Sequence, residues 1–370
     1  MIKRLFRRLA EPLDPWLFLF VGLLISVSLI TIYSASNGSV DKVTNKMVSV
    51  SVALLAMWLV ANLKPAQLMW LAPPLYLLGV VLLVAVELFG ITVNGATRWL
   101  NIGIGRIQPS ELLKLAVPMM VAWYFQRHES WLQPRHYAVA AAIIGVPVLL
   151  VLKQPDLGTS LLISAAGFYA LFLAGLSWRV ILPLVAMFLA TIWFVGDFNR
   201  CASVFHDYQC HRVQVQLDPM ADPLGKGYHI IQGTIAIGSG GITGKGWMNG
   251  TQTRLDFIPE RTTDFIFAVY SEEFGLIGCA LLLALYLCVI VRGLMIANSA
   301  SSLFGRLLAG ALTLSFFTYA FVNIGMVAGL LPVVGVPLPL VSYGGTAMLS
   351  ILIGFGMLMS IQRDRKLIKR

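Results

Sequence analysis

The sequence predicts an all-α polytopic membrane protein: about ten transmembrane helices and one large outer loop, in a single domain over residues 1–370. Three observations predict it. Apolar residues make up 58% of the chain and charged residues 12%, where a soluble domain carries about half and about a quarter. Apolar stretches recur at the ~20-residue length that a helix needs to cross hydrocarbon. The basic residues gather at the ends of alternate stretches. Helices are the required element, because lipid offers no partner to backbone polar groups. Topology also accounts for the net charge of +10. No basic run interleaves with aromatics as a nucleic-acid groove would, so nucleic acid is excluded as a partner and membrane lipid is the expected surrounding.

The elements follow in order. Lys3, Arg4, Arg7 and Arg8 precede the first span, 16–33. Ser34-Ala35-Ser36 loosely resembles a signal-cleavage site. The apolar run is too long for a signal core, so an uncleaved helix with its N-terminus inside is expected. Further spans are expected at 47–63, 68–88, 111–126, 137–152, 158–175, 180–196, 264–291, 305–331 and 343–362. An even number of spans returns the C-terminus to the inner side. Inner segments then hold Lys64, Arg127, Arg135, Arg179, Arg292, Arg306 and both termini, fifteen basic residues in all. The short outer loops hold five: Lys42, Lys46, Arg98, Arg106 and Lys153. That asymmetry supports the alternation, and long loops such as 197–263 are exempt from it. No internal repeat is visible, which argues against a two-halved transporter.

Polar residues cluster on the outer side. Asn94-Gly95-Ala96-Thr97-Arg98-Trp99 comes first, then Arg106 and Gln108-Pro109-Ser110-Glu111. Pro109 suits a first helical turn, and Lys114 shares a face with Glu111. A structural ion pair and a patch for an anionic substrate are the two readings, and ionisable residues at membrane depth favour the second. Next is Lys153-Gln154-Pro155-Asp156. Capping explains Asp156, but not Lys153 and Gln154 at the same depth, so both readings stay open.

In the long loop, 226–237 has the pattern of an amphipathic helix lying on the membrane. The run 238–247 looks like a phosphate loop but fails its spacing: Ser239 stands where the first glycine belongs, and Gly246 where Ser or Thr should follow Lys245. A flexible hinge is expected. Glu260, Arg261 and Asp264 follow, with Asp264 expected to open a long apolar helix. A helix N-terminus favours its carboxylate form, which suits a base or a cation ligand. Ser271 and Glu272 are expected deeper along that helix, with Glu273 pointing away. Finally, 332–345 is apolar yet unsuited to a helix, and such backbone lines a cavity or is buried in protein. Ser342, Tyr343 and Asn323 are its candidate wall residues. Cys201 and Cys210 leave a disulfide open. The spacing of His206, Cys210 and His211 matches no zinc pattern.

In chain order, Gln-Pro-Ser-Glu (108–111), Gln-Pro-Asp-Leu-Gly-Thr (154–159), Gly-Ser-Gly-Gly (238–241), Pro-Glu-Arg (259–261), Thr-Asp-Phe-Ile-Phe-Ala-Val (263–269) and Pro-Leu-Pro-Leu-Val-Ser-Tyr-Gly-Gly (337–345) together resemble the SEDS family of RodA and FtsW proteins. The resemblance runs across nearly the whole chain. The short basic N-terminus and the run 250–257 bring it nearer the RodA branch. Thr262 departs from the histidine expected in many RodA sequences, which puts in doubt a role for that side chain and not for Asp264.

The resemblance implies a glycosyltransferase of the bacterial inner membrane, with both termini cytoplasmic, that polymerises lipid II into peptidoglycan during elongation. It implies a class B penicillin-binding transpeptidase as partner, within the rod-elongation complex. It puts the family's catalytic aspartate on Asp264, and it associates activity with a divalent cation, Mg²⁺ or Mn²⁺, for which Asp264 is the candidate ligand. An α-linked donor and a β-linked product call for one inverting displacement with Asp264 as base. Arg98, Lys114, Lys153 and Arg261 are the candidates to stabilise the diphosphate, and Glu111 to orient Lys114 or bind the cation. Gln154, Asp156, Glu260 and Ser342 complete the expected substrate-binding set, together with Trp99 as sugar platform or interfacial anchor. The competing readings are a lipid II flippase, whose site belongs at the midplane rather than one rim, and a non-enzymatic scaffold, for which Asp264 is dispensable.

Overall fold

The computed structural model describes residues 11–93, 96–101, 106–129, 133–195, 219–222, 226–258 and 260–368. A helix stands at each of the ten expected spans. These are α1 (Pro15–Ala35), α2 (Val40–Ala61), α3 (Pro65–Phe89), α4 (Pro109–Arg127), α5 (Pro134–Lys153), α6 (Leu157–Leu173), α7 (Trp178–Val195), α10 (Ile266–Asn298), α11 (Leu303–Val327) and α12 (Gly345–Ile368). Two shorter helices, α8 (Lys226–Ser239) and α9 (Thr251–Arg254), lie in the long loop. Among the described residues, seven of these helices are long and apolar enough to cross a membrane. Of the others, α6 is a shorter apolar helix, and α4 carries Glu111 and Lys114 in its first turns.

The starts are written in the sequence. Pro15, Pro65, Pro109 and Pro134 each occupy a first helical turn, where a missing N–H costs nothing. Asp14, Ser39, Asp156 and Ser302 cap α1, α2, α6 and α11 by accepting from backbone N–H groups.

The helix ends sort onto two sides as the charge alternation requires. At one end Arg292 pairs with Asp14 through Nε and Nη2, at 3.0 and 2.6 Å. Gln126 accepts from the Phe304 N–H, and Ser360 donates to the Leu63 carbonyl. The other end, the site end, carries Lys153–Glu87, Arg98–Asp156 and Lys46–Ser342. α11 and α12 are the most enclosed of the long helices. The loop between α3 and α4, which no pattern in the sequence marked as sheet, folds as a small antiparallel sheet. Its strands β1 (Ile91–Val93), β2 (Ala96–Asn101) and β3 (Arg106–Ile107) pair in that order, with Ile91 opposite Trp99 and Leu100 opposite Ile107.

Two expectations need correction. α2 begins seven residues before 47, so Lys46 belongs to the helix and not to an outer loop. It is 1% exposed. The run 238–247 is not a loose hinge either. α10 breaks at Gly275, whose φ of 62° only glycine adopts without strain. A break orphans carbonyls before it and N–H groups after it. The 240–246 turn supplies both: Leu276 and Ile277 N–H donate to the Gly241 and Ile242 carbonyls at 2.9 and 3.1 Å, while Lys245 and Gly246 N–H donate to Glu272 and Glu273 carbonyls at 3.0 Å. The glycines therefore let backbone dock on backbone.

Gly275→Ala should destabilise the protein by more than about 1 kcal/mol, since the new Cβ meets both a positive φ and the docked 242–244 backbone. Thermal unfolding in detergent measures the loss.

Candidate active site

Asp264 lies two residues before α10, on a turn that begins at Glu260. The helix opens at Ile266 with Phe265 at its cap, so Asp264 precedes the helix rather than starting it. The turn is anchored through three successive carbonyls. Tyr343 N–H donates to Thr262 O at 2.8 Å, Ser342 Oγ to Thr263 O at 2.6 Å, and Asn323 Nδ2 to Asp264 O at 2.8 Å. Asn323 also donates to Val336 O at 2.7 Å, and Leu338 N–H to Ser342 Oγ at 2.8 Å. Lys46 Nζ donates to Ser342 O at 2.7 Å. The irregular 332–344 segment is thus held by buried side chains, as backbone at membrane depth must be.

The Asp264 carboxylate is left for other work. Among the described residues, no side chain donates a hydrogen bond to it. It lies over Gly335, with Oδ2 3.4 Å from where a β-carbon would stand, and Gly335 itself has φ 69°. Burial, and then the neighbouring Glu260 carboxylate, push Asp264 up to about 6. Glu260 is exposed, with φ 51°, and accepts from Thr263 Oγ1 at 2.7 Å. Helix α8 covers the neighbourhood, with His229 5.8 Å from the Phe265 ring and Gly233 packed on Phe265.

A second group gathers across the 334–336 backbone, where Gly158 of α6 packs against Val334 and Val336. Asp156, 5% exposed, caps α6 through Thr159 and accepts from Gln108 Nε2 at 3.4 Å. Arg98 reaches from β2 to Asp156 at 3.5 Å and donates to the Pro155 carbonyl at 2.8 Å. Glu111 and Lys114 pair at 2.6 Å on the first turns of α4. Glu111 also accepts from Ser350 Oγ at 2.8 Å, and Lys114 Nζ lies 5.2 Å over the Tyr319 ring. Gln154 is buried and donates to Leu83 O at 3.4 Å.

The structure therefore brings Arg98, Glu111, Lys114 and Asp156 together, with Gln154 behind them and Asp264 on the far side of 334–336. It does not bring in Lys153, which is exposed and pairs with Glu87 at 3.4 Å. Arg261 is engaged with the Asp256 carboxylate and the Thr253 carbonyl. Ser342 is buried as a tie between backbones and does not line an open wall. Trp99 is half-buried on β2. Asn94, Gly95, Cys201, Cys210, His206 and His211 lie outside the described residues. Tyr319 went unmarked in the sequence, and Lys46 reads there only as a charge of a short outer loop. A lysine directly preceding the apolar run at 47 was the available signal for Lys46.

The family model that matches is that of the FtsW, RodA and SpoVE proteins, described as cell cycle proteins, over residues 14–367. The chain belongs to this family. It is 50% identical over 361 residues to the peptidoglycan glycosyltransferase MrdB of Escherichia coli strain K12, covering 97% of this chain and 95% of that one. Its fold is similar to a chain in a solved peptidoglycan synthase complex that coordinates polymerization and crosslinking, with TM-score 0.81, 32% identity and coverage of 95% and 98%. It is also similar to the rod shape determining protein RodA of Thermus thermophilus, with TM-score 0.71, 27% identity and coverage of 95% and 97%.

Removing Glu111 alone strands a buried ammonium. Glu111→Ala should cost about 3–5 kcal/mol, and Glu111→Leu with Lys114→Met should recover most of it. Thermal unfolding of both variants in detergent checks the difference.

Proposed function

We propose that Asp264 is the base with which this peptidoglycan glycosyltransferase joins lipid II units into glycan. The observation that carries the reading is a half-buried carboxylate, raised to about 6, with its backbone pinned and its oxygens unengaged among the described residues. A base near the working pH combines the right protonation state with proton-transfer driving force.

In the proposed step, the acceptor hydroxyl attacks the anomeric carbon of the donor sugar. Its proton passes to an Asp264 carboxylate oxygen, and the bond from the anomeric carbon to the diphosphate oxygen breaks. The lipid diphosphate leaves with the electron pair, and one displacement inverts α to β. Arg98 and Lys114 are the cations assigned to the diphosphate, a role supported by the carboxylate that already orients each. Lys153 and Arg261 are engaged elsewhere and are assigned no contact.

A divalent cation, Mg²⁺ or Mn²⁺, fits here only in one form. Among the described residues no three His, Cys, Asp or Glu side chains gather around a common point. Asp264 with Glu260 is a site of the kind that relies on substrate phosphates for its remaining ligands. Such a cation would neutralise charge on the leaving diphosphate.

We assign both termini to the cytoplasmic side of a bacterial inner membrane, a reading that the basic residues at the end opposite the site support. A class B penicillin-binding transpeptidase of the rod-elongation complex is the proposed partner, which the likeness to a peptidoglycan synthase complex supports.

Asp264→Asn should abolish lipid II polymerisation by purified protein in detergent while leaving its elution profile and melting temperature unchanged; retained polymerisation overturns the assignment. The base acts deprotonated, so the rate should fall as pH drops through about 6. Glu260→Gln removes the repulsive neighbour and should move that acid limb to lower pH, read from the pH profile of the initial rate.

A further inference from the structure

A polar cavity lies on the site end, away from Asp264. It is about 330 Å³ in volume, bounded by the end of α1 and the 248–254 backbone, with Ser34, Asn37, Thr253, Arg254 and Glu273 in its wall. That volume is at the lower end of small-ligand sites, about 300–1,000 Å³. None of the groups that pin Asp264 lines it.

Its wall contains an unanswered group. Glu273 is 1% exposed, and one of its oxygens accepts from Ser34. The other, Oε2, has no hydrogen-bond partner among the described residues. A buried carboxylate oxygen left in that state is costly, and native structures almost always satisfy it. The adjacent Glu272 shows the contrast. Fully buried, it takes Lys245 Nζ at 2.7 Å, Thr251 Oγ1 at 3.1 Å and the Gln252 N–H at 3.0 Å. Glu272 clamps the loop to α10, whereas Glu273 lines the cavity and keeps one buried oxygen without a hydrogen-bond partner among the described residues. Arg254, exposed, stands in the same wall, and its positive charge acts on Glu273.

The depth of the cavity identifies its surroundings. Tyr33 and Trp247 lie beside it with ring centroids 5.9 Å apart, and the indole N–H donates to Ile30 O at 3.3 Å. Such aromatics mark the level of lipid headgroups. Ile242, Leu255 and Phe257 of the same loop are exposed. An apolar surface next to charged residues is how a loop sits in that interface.

We propose that this cavity binds the headgroup of an amine-bearing zwitterionic phospholipid, with its primary ammonium on Glu273 and its phosphate on Arg254. The ammonium supplies the missing donor and the opposite charge together. The phosphate gives the Arg254 guanidinium an anion at the rim. A quaternary ammonium has no N–H to donate, so a choline headgroup leaves Oε2 unanswered. An anionic glycerol headgroup brings no positive charge to Glu273.

The test uses the full chain in nanodiscs of equal phosphatidylethanolamine, phosphatidylcholine and phosphatidylglycerol, released and weighed with its retained lipids by native mass spectrometry. Phosphatidylethanolamine should be retained over the other two, and Glu273→Gln and Arg254→Ala should each lower its retention roughly tenfold, the worth of one charge-assisted hydrogen bond. Arg254 is exposed, so its variant reads the site even if Glu273→Gln fails to fold. Equal retention of all three lipids overturns the proposal. So does a preference for phosphatidylglycerol, or phosphatidylethanolamine retention undiminished by Arg254→Ala.

Discussion

Three consecutive carbonyls, those of Thr262, Thr263 and Asp264, accept hydrogen bonds from Tyr343, Ser342 and Asn323, and the site depends on that tie. A carboxylate ahead of a helix has no position of its own. Here its backbone is sewn to a segment that cannot be helical, and that segment is held in turn by the buried Lys46 and by the first turn of α6. The side chain is therefore set by backbone-directed bonds, and both carboxylate oxygens stay available for chemistry. Site geometry is most reliable where supporting groups lock the acting group.

The same logic extends along α10. A helix continuous through Gly275 would bond the Glu272 and Glu273 carbonyls and the Leu276 and Ile277 N–H groups internally. The break at Gly275 lets the 240–246 turn dock, and the orphaned backbone groups are answered by the turn's own. Glu272 then becomes the anchor of the roof, surrounded by donors from the loop it holds. Backbone at this depth carries no free polar groups, so one glycine-permitted break requires a second glycine-rich segment to complete it.

Charge at the site is arranged in pairs that a membrane setting makes necessary. Arg98 meets Asp156 and Lys114 meets Glu111, so each of these two cations has a carboxylate beside it. An arriving diphosphate meets cations already oriented by carboxylates rather than loose side chains. Preorganised charge of this sort acts without reorganising during reaction.

By itself the sequence determined the number and order of the spans, the capping residues, and the charged set Arg98, Glu111, Lys114, Asp156 and Asp264, because lipid forces apolar length and makes every ionisable residue at depth conspicuous. Local chemistry sufficed for these. Tertiary structure alone decided which of them meet. Lys153 and Arg261 looked equivalent to Arg98 in the chain, yet they turn to Glu87 and Asp256. Lys46, counted as a loop charge, proved to be a buried brace because α2 starts earlier than its apolar run. The carbonyl ties at 262–264 and the free oxygen of Glu273 left no mark in the residue pattern. Backbone acceptors are the same at every residue, and only the approach of distant segments selects which are used.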